Sequence, residues 1–181
     1  FVVYGLAVKV IGKESPVKFF KTIMPAALNA FGTCSSSATI PISKQCMEEG
    51  MGVSNKITSI AIPLGATVNM DGTSIMQGVA VMFAAQAFGI HLTPMDYVTV
   101  IGTATLASIG TAGIPSVGLV TLTMVFNSVG LPVEAIGIIM GIDRILDMAR
   151  TAVNITGDAV CTTIVACQNG AVDKEVFNKA E

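Results

Sequence analysis

The chain has 181 residues, of which 52 % are apolar and only 12 % are charged. A soluble domain carries about 25 % charged residues, so this chain cannot coat a globule with a water-facing surface. The mean hydropathy of +0.73 also excludes disorder, and a net charge of -2 leaves no basic surface for nucleic acid. The composition therefore indicates a multi-pass membrane protein, located in the cell membrane.

Residues 1–12 read as the end of a membrane helix. The first residue is Phe1 and no signal peptide is visible, so we expect the C-terminal part of a longer protein. The cysteines show no metal-ligand spacing and are expected to be free thiols; they are Cys34, Cys46, Cys161 and Cys167.

The first structural unit predicted after this helix is a re-entrant hairpin over residues 17–52. A crossing helix needs about 20 apolar residues, but the apolar run from Pro16 ends at the polar stretch 35–37. A second short apolar piece follows. Half-helix, polar tip and half-helix together predict a segment that enters and leaves on one side of the membrane.

A broken transmembrane helix is predicted over residues 55–92, interrupted at 69–72. A second re-entrant hairpin is predicted over 95–130, because its apolar piece 98–108 spans only about 16 Å. That piece meets a Gly- and Pro-containing turn at 109–116. The lysines around the first hairpin place its base in the cytoplasm, so the second hairpin starts outside. The two tips then point at each other in an inverted repeat, which is typical of a binding site near the midplane.

The last long helix is predicted over residues 131–168, with a cytoplasmic tail at 171–181. Its polar residues are spaced four, three, four and four apart and fall within an arc of roughly 80°; they are Asp143, Asp147, Arg150, Asn154 and Asp158. A charge in the membrane costs about 2.5–3.5 kcal/mol on insertion scales, so this face must meet protein, water or ligand.

An internal salt-bridge network is the plain interpretation of this face, but carboxylates exceed the single Arg150. Arg150 offers a planar fork for a carboxylate, Asp147 suits an ammonium group, and Asp158 invites a cation. The serines 35–37 precede a half-helix, whose N-terminus favours a carboxylate. Interrupted backbone at 69–72 frees carbonyls that suit Na⁺. These features predict an amino-acid site beside an ion site.

Four motifs together resemble the dicarboxylate/amino acid:cation symporter family, the glutamate transporter homologues. They are Ser35-Ser36-Ser37-Ala38-Thr39-Ile40-Pro41, Asn69-Met70-Asp71-Gly72-Thr73, Gly110-Thr111-Ala112-Gly113-Ile114-Pro115, and Asp147-Met148-Ala149-Arg150-Thr151 continuing to Asn154-Ile155-Thr156-Gly157-Asp158. The resemblance covers almost the whole chain. It implies an all-α membrane protein with a mobile transport domain at residues 13–170, and residues 1–12 as a scaffold-side or connecting helix.

The resemblance also implies site residues. The implied substrate-binding residues are Ser35, Ser36, Thr73, Ile114, Gly118, Asp147, Arg150, Thr151 and Asn154. One implied sodium site uses carbonyls of Gly65, Asn69 and Asn154 with the Asp158 carboxylate. A second uses carbonyls of Thr67, Ser108, Ile109 and Thr111. A third uses Asn69 and Asp71, with further ligands in a helix outside this sequence.

The implied activity is cation-coupled, sodium-dependent symport of glutamate or aspartate, by an elevator motion within a lipid-embedded homotrimer. The second hairpin would be the outer gate, and no organic cofactor or enzymatic reaction is implied. Some members carry Arg at the position of Cys34, and here Arg144 can supply that charge. A neutral amino acid, cystine or a C4-dicarboxylate, with proton coupling, are the open alternatives.

Two other classes of function are compatible with isolated features. An ion channel also uses re-entrant hairpins, but opposite charges side by side favour binding over conduction. An intramembrane serine hydrolase could use the serines 35–37, but no His or Lys base stands at a recognisable spacing, and the single His91 lies at a helix end.

Overall fold

The computed structural model describes residues 1–109 and 113–179, and these residues fold into helices joined by short connections. In chain order the α-helices are α1 Val2–Val10, α2 Pro16–Thr33, α3 Ser36–Gln45, α4 Asn55–Val68, α5 Asp71–Ala87, α6 Pro94–Ser108, α7 Val117–Ser128, α8 Ile136–Met140, α9 Asp143–Gln168 and α10 Lys174–Lys179. A π-helical turn, Cys46–Gly50, follows α3, and a 3₁₀ turn, Val133–Ala135, precedes α8. The predicted all-α class is confirmed.

The helices α2 and α3 form the first antiparallel pair. Pro16 opens α2, where a missing N–H costs nothing, and Cys34 ends it in the left-handed conformation, φ 54°. Ser35 then caps α3, because its hydroxyl accepts from the Ala38 N–H at 3.1 Å. Only two residues therefore separate the helices, and the polar stretch 35–37 lies at the tip of the pair.

The helices α4 and α5 are interrupted where the sequence predicted a break. Asn69 ends α4 with φ -96° and ψ 79°, and Met70 precedes α5 with φ -108° and ψ 54°. Neither residue has helical dihedral angles. The Gly72 N–H, just after this break, donates to the Asn154 side chain of α9 at 2.7 Å.

The helices α6 and α7 form the second antiparallel pair. Thr93 and Asp96 form a reciprocal capping box at the start of α6, with Pro94 at the first helical position. Ser116 precedes α7 in the left-handed conformation, φ 60°. The part of the predicted gate at 110–112 lies outside the described residues.

The predicted helix over 131–168 was wrong in its first third. Residues 133–140 form a 3₁₀ turn and the single-turn helix α8, and the long helix α9 begins only at Asp143. The backbone leaves helical dihedral angles on both sides of this region, at Pro132 with ψ 126° and at Ile142 with φ -120° and ψ 3°. From Asp143 onward the helix is continuous for 26 residues.

The helix α9 is the centre of the fold and contacts α1, α2, α3, α4, α5 and α8. One apolar core lies between α1, α2, α4 and the second half of α9, and includes Phe19, Ile23 and Ile155. A second core lies between α5, α6, α7 and α8, and includes Leu122 and Phe126. After α9, the segment 171–173 pairs with residues 52–54 through two backbone hydrogen bonds of 3.0 and 2.8 Å.

Many large apolar side chains are exposed on the outer surface, while charged side chains lie in the interior. Leu106 is 72 % exposed and Ile60 is 70 % exposed, whereas Asp147 is fully buried. None of the helices in the described ranges combines the length of a bilayer crossing with a sufficiently apolar sequence.

Candidate functional site

The tips of the two helix pairs touch each other. The Ser35 hydroxyl donates to the Gly113 carbonyl at 2.8 Å, and the Ser37 N–H donates to the same oxygen at 3.2 Å. Ser35 is 78 positions away from Gly113 in sequence, so the tertiary fold alone creates this contact. The two tips together form one side of a site whose other side is α9.

The polar face predicted on α9 is buried along its whole length. Each member has a relative exposure of 5 % or less; they are Asp143, Asp147, Arg150, Asn154 and Asp158, together with Thr151. Burying a charge is tolerated only when the charge is paired or hydrogen-bonded. The partners of each member therefore define the chemistry of the site.

Asp147 and Arg150 form a buried ion pair one turn apart on α9. The same Asp147 oxygen, Oδ1, also accepts from the Thr151 hydroxyl at 3.2 Å. The other oxygen, Oδ2, accepts from the Ser116 N–H at 2.6 Å. Both carboxylate oxygens are thus occupied, one from within α9 and one from the second tip.

The Arg150 guanidinium lies against α7 and α5. A Cβ atom added to Gly118 would overlap Arg150 Nη1, so a larger residue there requires the guanidinium to shift. On the α5 side, Nη1 contacts Met76 Sδ at 3.7 Å. Arg150 therefore lies between α7 and α5, with Asp147 as its acceptor.

The Asn154 side chain connects α9 to the break between α4 and α5. Its Oδ1 accepts from the Gly72 N–H at 2.7 Å, a donor in the first turn of α5. Its Nδ2 lies 3.1 Å from Met70 Sδ and 3.4 Å from Thr73 Oγ1. One amide side chain thus satisfies an orphan donor at a helix start.

A small cavity of about 10 Å³ lies at the centre of these contacts. Six of the nine predicted substrate residues line it: Ser36, Thr73, Ile114, Arg150, Thr151 and Asn154. The remaining three adjoin it through contacts already described; they are Ser35, Gly118 and Asp147. A void of this volume holds at most about one water molecule, so the site is closed.

Asp158 lies one turn after Asn154 on α9, and one of its carboxylate oxygens has no hydrogen-bond partner. It is 1 % exposed. Its Oδ1 accepts from Asn69 Nδ2 at 3.0 Å, while Oδ2 has no hydrogen-bond partner. A Cβ atom on Gly65 would lie 2.6 Å from Oδ1, which brings the last turn of α4 against this carboxylate. A buried carboxylate with a free oxygen, placed beside the Asn69 side chain and the last turn of α4, fits a cation.

The second predicted cation set is only partly visible. Ser108 Oγ accepts from Ser74 Oγ at 2.8 Å, which joins the end of α6 to α5. Thr67 is exposed and its hydroxyl donates to the Leu64 carbonyl at 3.0 Å. Ile109 is half exposed, and Thr111 lies outside the described residues.

The third predicted set, Asn69 and Asp71, has a donor that the sequence did not indicate. The Tyr4 hydroxyl donates to Asp71 Oδ2 at 2.6 Å. Across residues 1–109 and 113–179, no group of three or more His, Cys, Asp or Glu side chains is placed to hold a metal ion. The candidate ligands here are instead oxygen atoms, which suit hard cations.

Ser116 was not among the predicted substrate or cation ligands, because nothing in its local sequence marks it, whereas Cys34 and Arg144 had been linked to the pocket. Ser116 follows Pro115 in an ordinary turn, yet its N–H and its hydroxyl reach Asp147 and Asp143, the latter at 2.8 Å. Cys34 lines the cavity. Arg144 Nη2 lies 3.4 Å from the Gly32 carbonyl, near the end of α2.

Comparisons with known proteins agree on one family. The family model described as the sodium:dicarboxylate symporter family matches residues 1–167. An excitatory amino acid transporter of Caenorhabditis elegans is 48 % identical over 84 % of this chain and 30 % of its own length. Excitatory amino acid transporter 2 of Homo sapiens is 44 % identical over 86 % of this chain and 27 % of its own length.

A putative sodium-dependent excitatory amino acid transporter of Caenorhabditis elegans is 44 % identical over 91 % of this chain and 33 % of its own length. The chain thus spans about a third of the length of the curated relatives that it matches. The family model covers residues that include the polar face of α9, both tips and the break between α4 and α5. The chain belongs to the sodium:dicarboxylate symporter family.

Proposed function

We propose that the full-length protein is a secondary active transporter that couples the symport of an acidic amino acid, glutamate or aspartate, to sodium. The observation that carries this proposal is the buried Asp147–Arg150 pair beside a closed cavity. A zwitterion with an extra carboxylate presents one cation and two anions. The pocket offers Asp147 for the cation, Arg150 for one carboxylate, and the N-terminus of α3 at Ser35 and Ser36 for the other.

The ion pair acts as an internal substitute for the substrate. In the closed arrangement Arg150 and the Ser116 N–H donate to Asp147. An incoming ammonium group replaces these donors on Asp147, and the side-chain carboxylate of the substrate takes the guanidinium fork. Each buried charge then keeps a partner throughout, which avoids the penalty of an unpaired charge.

Binding requires the second tip to move. The cavity of about 10 Å³ is far too small for an amino acid, and Ser116 lies across Asp147. The proposed outer gate, residues 108–117, includes Ser116. When it swings outward, it releases the Asp147 oxygen that it occupies.

Sodium binds as a cotransported ion at the carboxylates of Asp158 and Asp71. The free oxygen of Asp158 is the clearest acceptor, with carbonyls of Gly65, Asn69 and Asn154 as further ligands. The second proposed set is Thr67, Ser108, Ile109 and Thr111. Cation binding at Asp158 offsets the charge of the carboxylate, and so couples ion occupancy to folding of the site.

The proposed membrane arrangement is an inverted repeat of two re-entrant hairpins, α2–α3 and α6–α7. The broken helix α4–α5 and the long helix α9 complete the transport domain, residues 13–170. Support comes from the apolar outer surface and the buried charges. We also propose that the full-length protein forms a homotrimer in the cell membrane and that its transport domain moves across the membrane as an elevator.

Uptake by the full-length protein in proteoliposomes tests this function. Radiolabelled L-aspartate, L-glutamate, L-serine, L-cystine and succinate are each offered in sodium and in choline, with and without a proton gradient. Saturable, sodium-dependent uptake of the two acidic amino acids is expected. Preference for another substrate, coupling to protons alone, or an ohmic current without saturable uptake would reject the proposal.

The variant Arg150→Cys tests whether Arg150 determines the preference for acidic over neutral amino acids. Removal of the guanidinium should reduce aspartate and glutamate uptake at least 100-fold, because a bidentate charged contact is lost, while a neutral amino acid is admitted. Lys56→Cys is the control, since Lys56 is an exposed cation at the start of α4 and does not line the cavity; it should leave the preference for acidic substrates intact. Unchanged aspartate uptake by Arg150→Cys would contradict the assignment.

A further inference from the structure

Three helices bring polar groups together over one glycine of α9. A Cβ atom on Gly157 would lie 2.7 Å from Asn69 Nδ2, 2.8 Å from Asp71 Oδ2 and 2.9 Å from the Tyr4 hydroxyl. Gly157 is buried, so its missing side chain is what lets these groups meet. Asp158 is the next residue along α9.

Tyr4 is the member of this group that neither the motifs nor the family resemblance indicated. It lies on α1, which packs against α2 and α9. Its hydroxyl donates to Asp71 Oδ2 at 2.6 Å, within the 2.5–2.7 Å range of strong bonds from a hydroxyl to a carboxylate. The contact joins residues 67 positions apart in the chain.

The donors in this cluster are neutral. Asp71 accepts from the Tyr4 phenol and Asp158 accepts from the Asn69 amide. These bonds orient the two carboxylates without cancelling their charges. The Tyr4 bond occupies Oδ2 of Asp71 and leaves Oδ1 for another partner, beside Asn69, whose side-chain oxygen is an acceptor.

We propose that Tyr4 is a positioning residue for cation binding: its hydroxyl fixes the Asp71 carboxylate beside Asn69 so that a sodium ion binds there. This inference rests on the proposed sodium-coupled function. It makes α1 part of the cation-binding unit, because the orientation of Asp71 depends on a side chain from that helix. Tyr4 does not need to touch the ion.

Sodium titration of the full-length protein tests this role. Tyr4→Phe keeps the ring and removes the hydroxyl, and Tyr97→Phe is the matched control, since Tyr97 is 42 % exposed on α6. A hydrogen bond to a charged group is worth roughly tenfold or more in an equilibrium constant. The sodium concentration for half-maximal aspartate uptake should therefore rise about tenfold in Tyr4→Phe and stay unchanged in Tyr97→Phe.

Two further measurements separate positioning from packing. The KM for aspartate at saturating sodium should change less than twofold in Tyr4→Phe. Adding Tyr4→Phe to Asp71→Asn should produce no further sodium shift, because the hydroxyl acts through Asp71. Each sodium titration is repeated on the detergent-purified protein by measuring its thermal unfolding temperature against sodium concentration. This readout does not depend on how much protein each variant yields.

A half-saturating sodium concentration within twofold of wild type in Tyr4→Phe would overturn the inference. So would additive shifts in the double variant. If wild-type uptake is independent of sodium, the proposed coupling fails and this inference fails with it. A sodium-dependent wild type with an unshifted Tyr4→Phe rejects only the role of Tyr4.

Discussion

Replacement of Asp158 by asparagine should separate cation binding from folding. Asp158 is 1 % exposed, accepts one hydrogen bond from Asn69 and leaves Oδ2 without a partner. Asparagine keeps an oxygen that can accept from Asn69, but it removes the buried negative charge. Without sodium, the variant should therefore be at least as stable as the wild type, since an uncompensated buried charge costs several kcal/mol.

With sodium, the order of stability should reverse. A ligand at 100 times its Kd stabilises the folded state by about 2.7 kcal/mol per site, a factor of about 100 in the unfolding equilibrium. The wild type gains this amount at the Asp158 site, and Asp158→Asn gains almost none of it. Sites that do not use Asp158 retain their own contribution.

Thermal unfolding of the purified full-length protein in sodium and in choline measures both effects. Asp143→Asn is a close control, because Asp143 is 5 % exposed, accepts one hydroxyl bond from Ser116 and also has one unsatisfied oxygen. It should respond to sodium as the wild type does. An undiminished sodium response in Asp158→Asn, or an equal loss in both variants, would refute the reasoning.

Two further predictions concern the pocket and the tips. Gly118→Ala should displace the Arg150 guanidinium, because the added methyl overlaps it, and should lower the affinity for aspartate at least tenfold in uptake assays; an unchanged KM would contradict this. Ser35→Ala should lower aspartate uptake, since it removes both a helix cap worth about 1 kcal/mol and the 2.8 Å bond to Gly113. Thr93→Ala removes a comparable cap remote from the site, so equal losses of uptake in the two variants would show that capping alone explains the effect.

Most of the helices, and the break between α4 and α5, could be predicted from local sequence. The short apolar pieces predicted from Pro16 and over 98–108 correspond to the helices α2 and α6, although α6 begins earlier, at Pro94. The stretch 69–72 correctly predicted the break between α4 and α5. The region 131–142 was predicted wrongly, because apolar character alone does not show where the backbone leaves helical dihedral angles, as it does at Ile142.

The candidate site followed in part from helical spacing. A run of polar residues four or three apart must share one face of a helix, and that face is buried. The motifs also indicated which loops would accompany it. The binding roles of these residues stay predictions until transport is measured.

The sequence by itself determined the helical class, the family and the single polar face of α9, since these depend on composition, periodicity and short motifs. Only the tertiary structure decided which distant groups satisfy that face. Ser116 reaches Asp147 from 31 positions away and Tyr4 reaches Asp71 from 67 positions away. Such contacts depend on how whole helices pack, and no local pattern encodes a hydrogen bond whose two partners are brought together only by that packing.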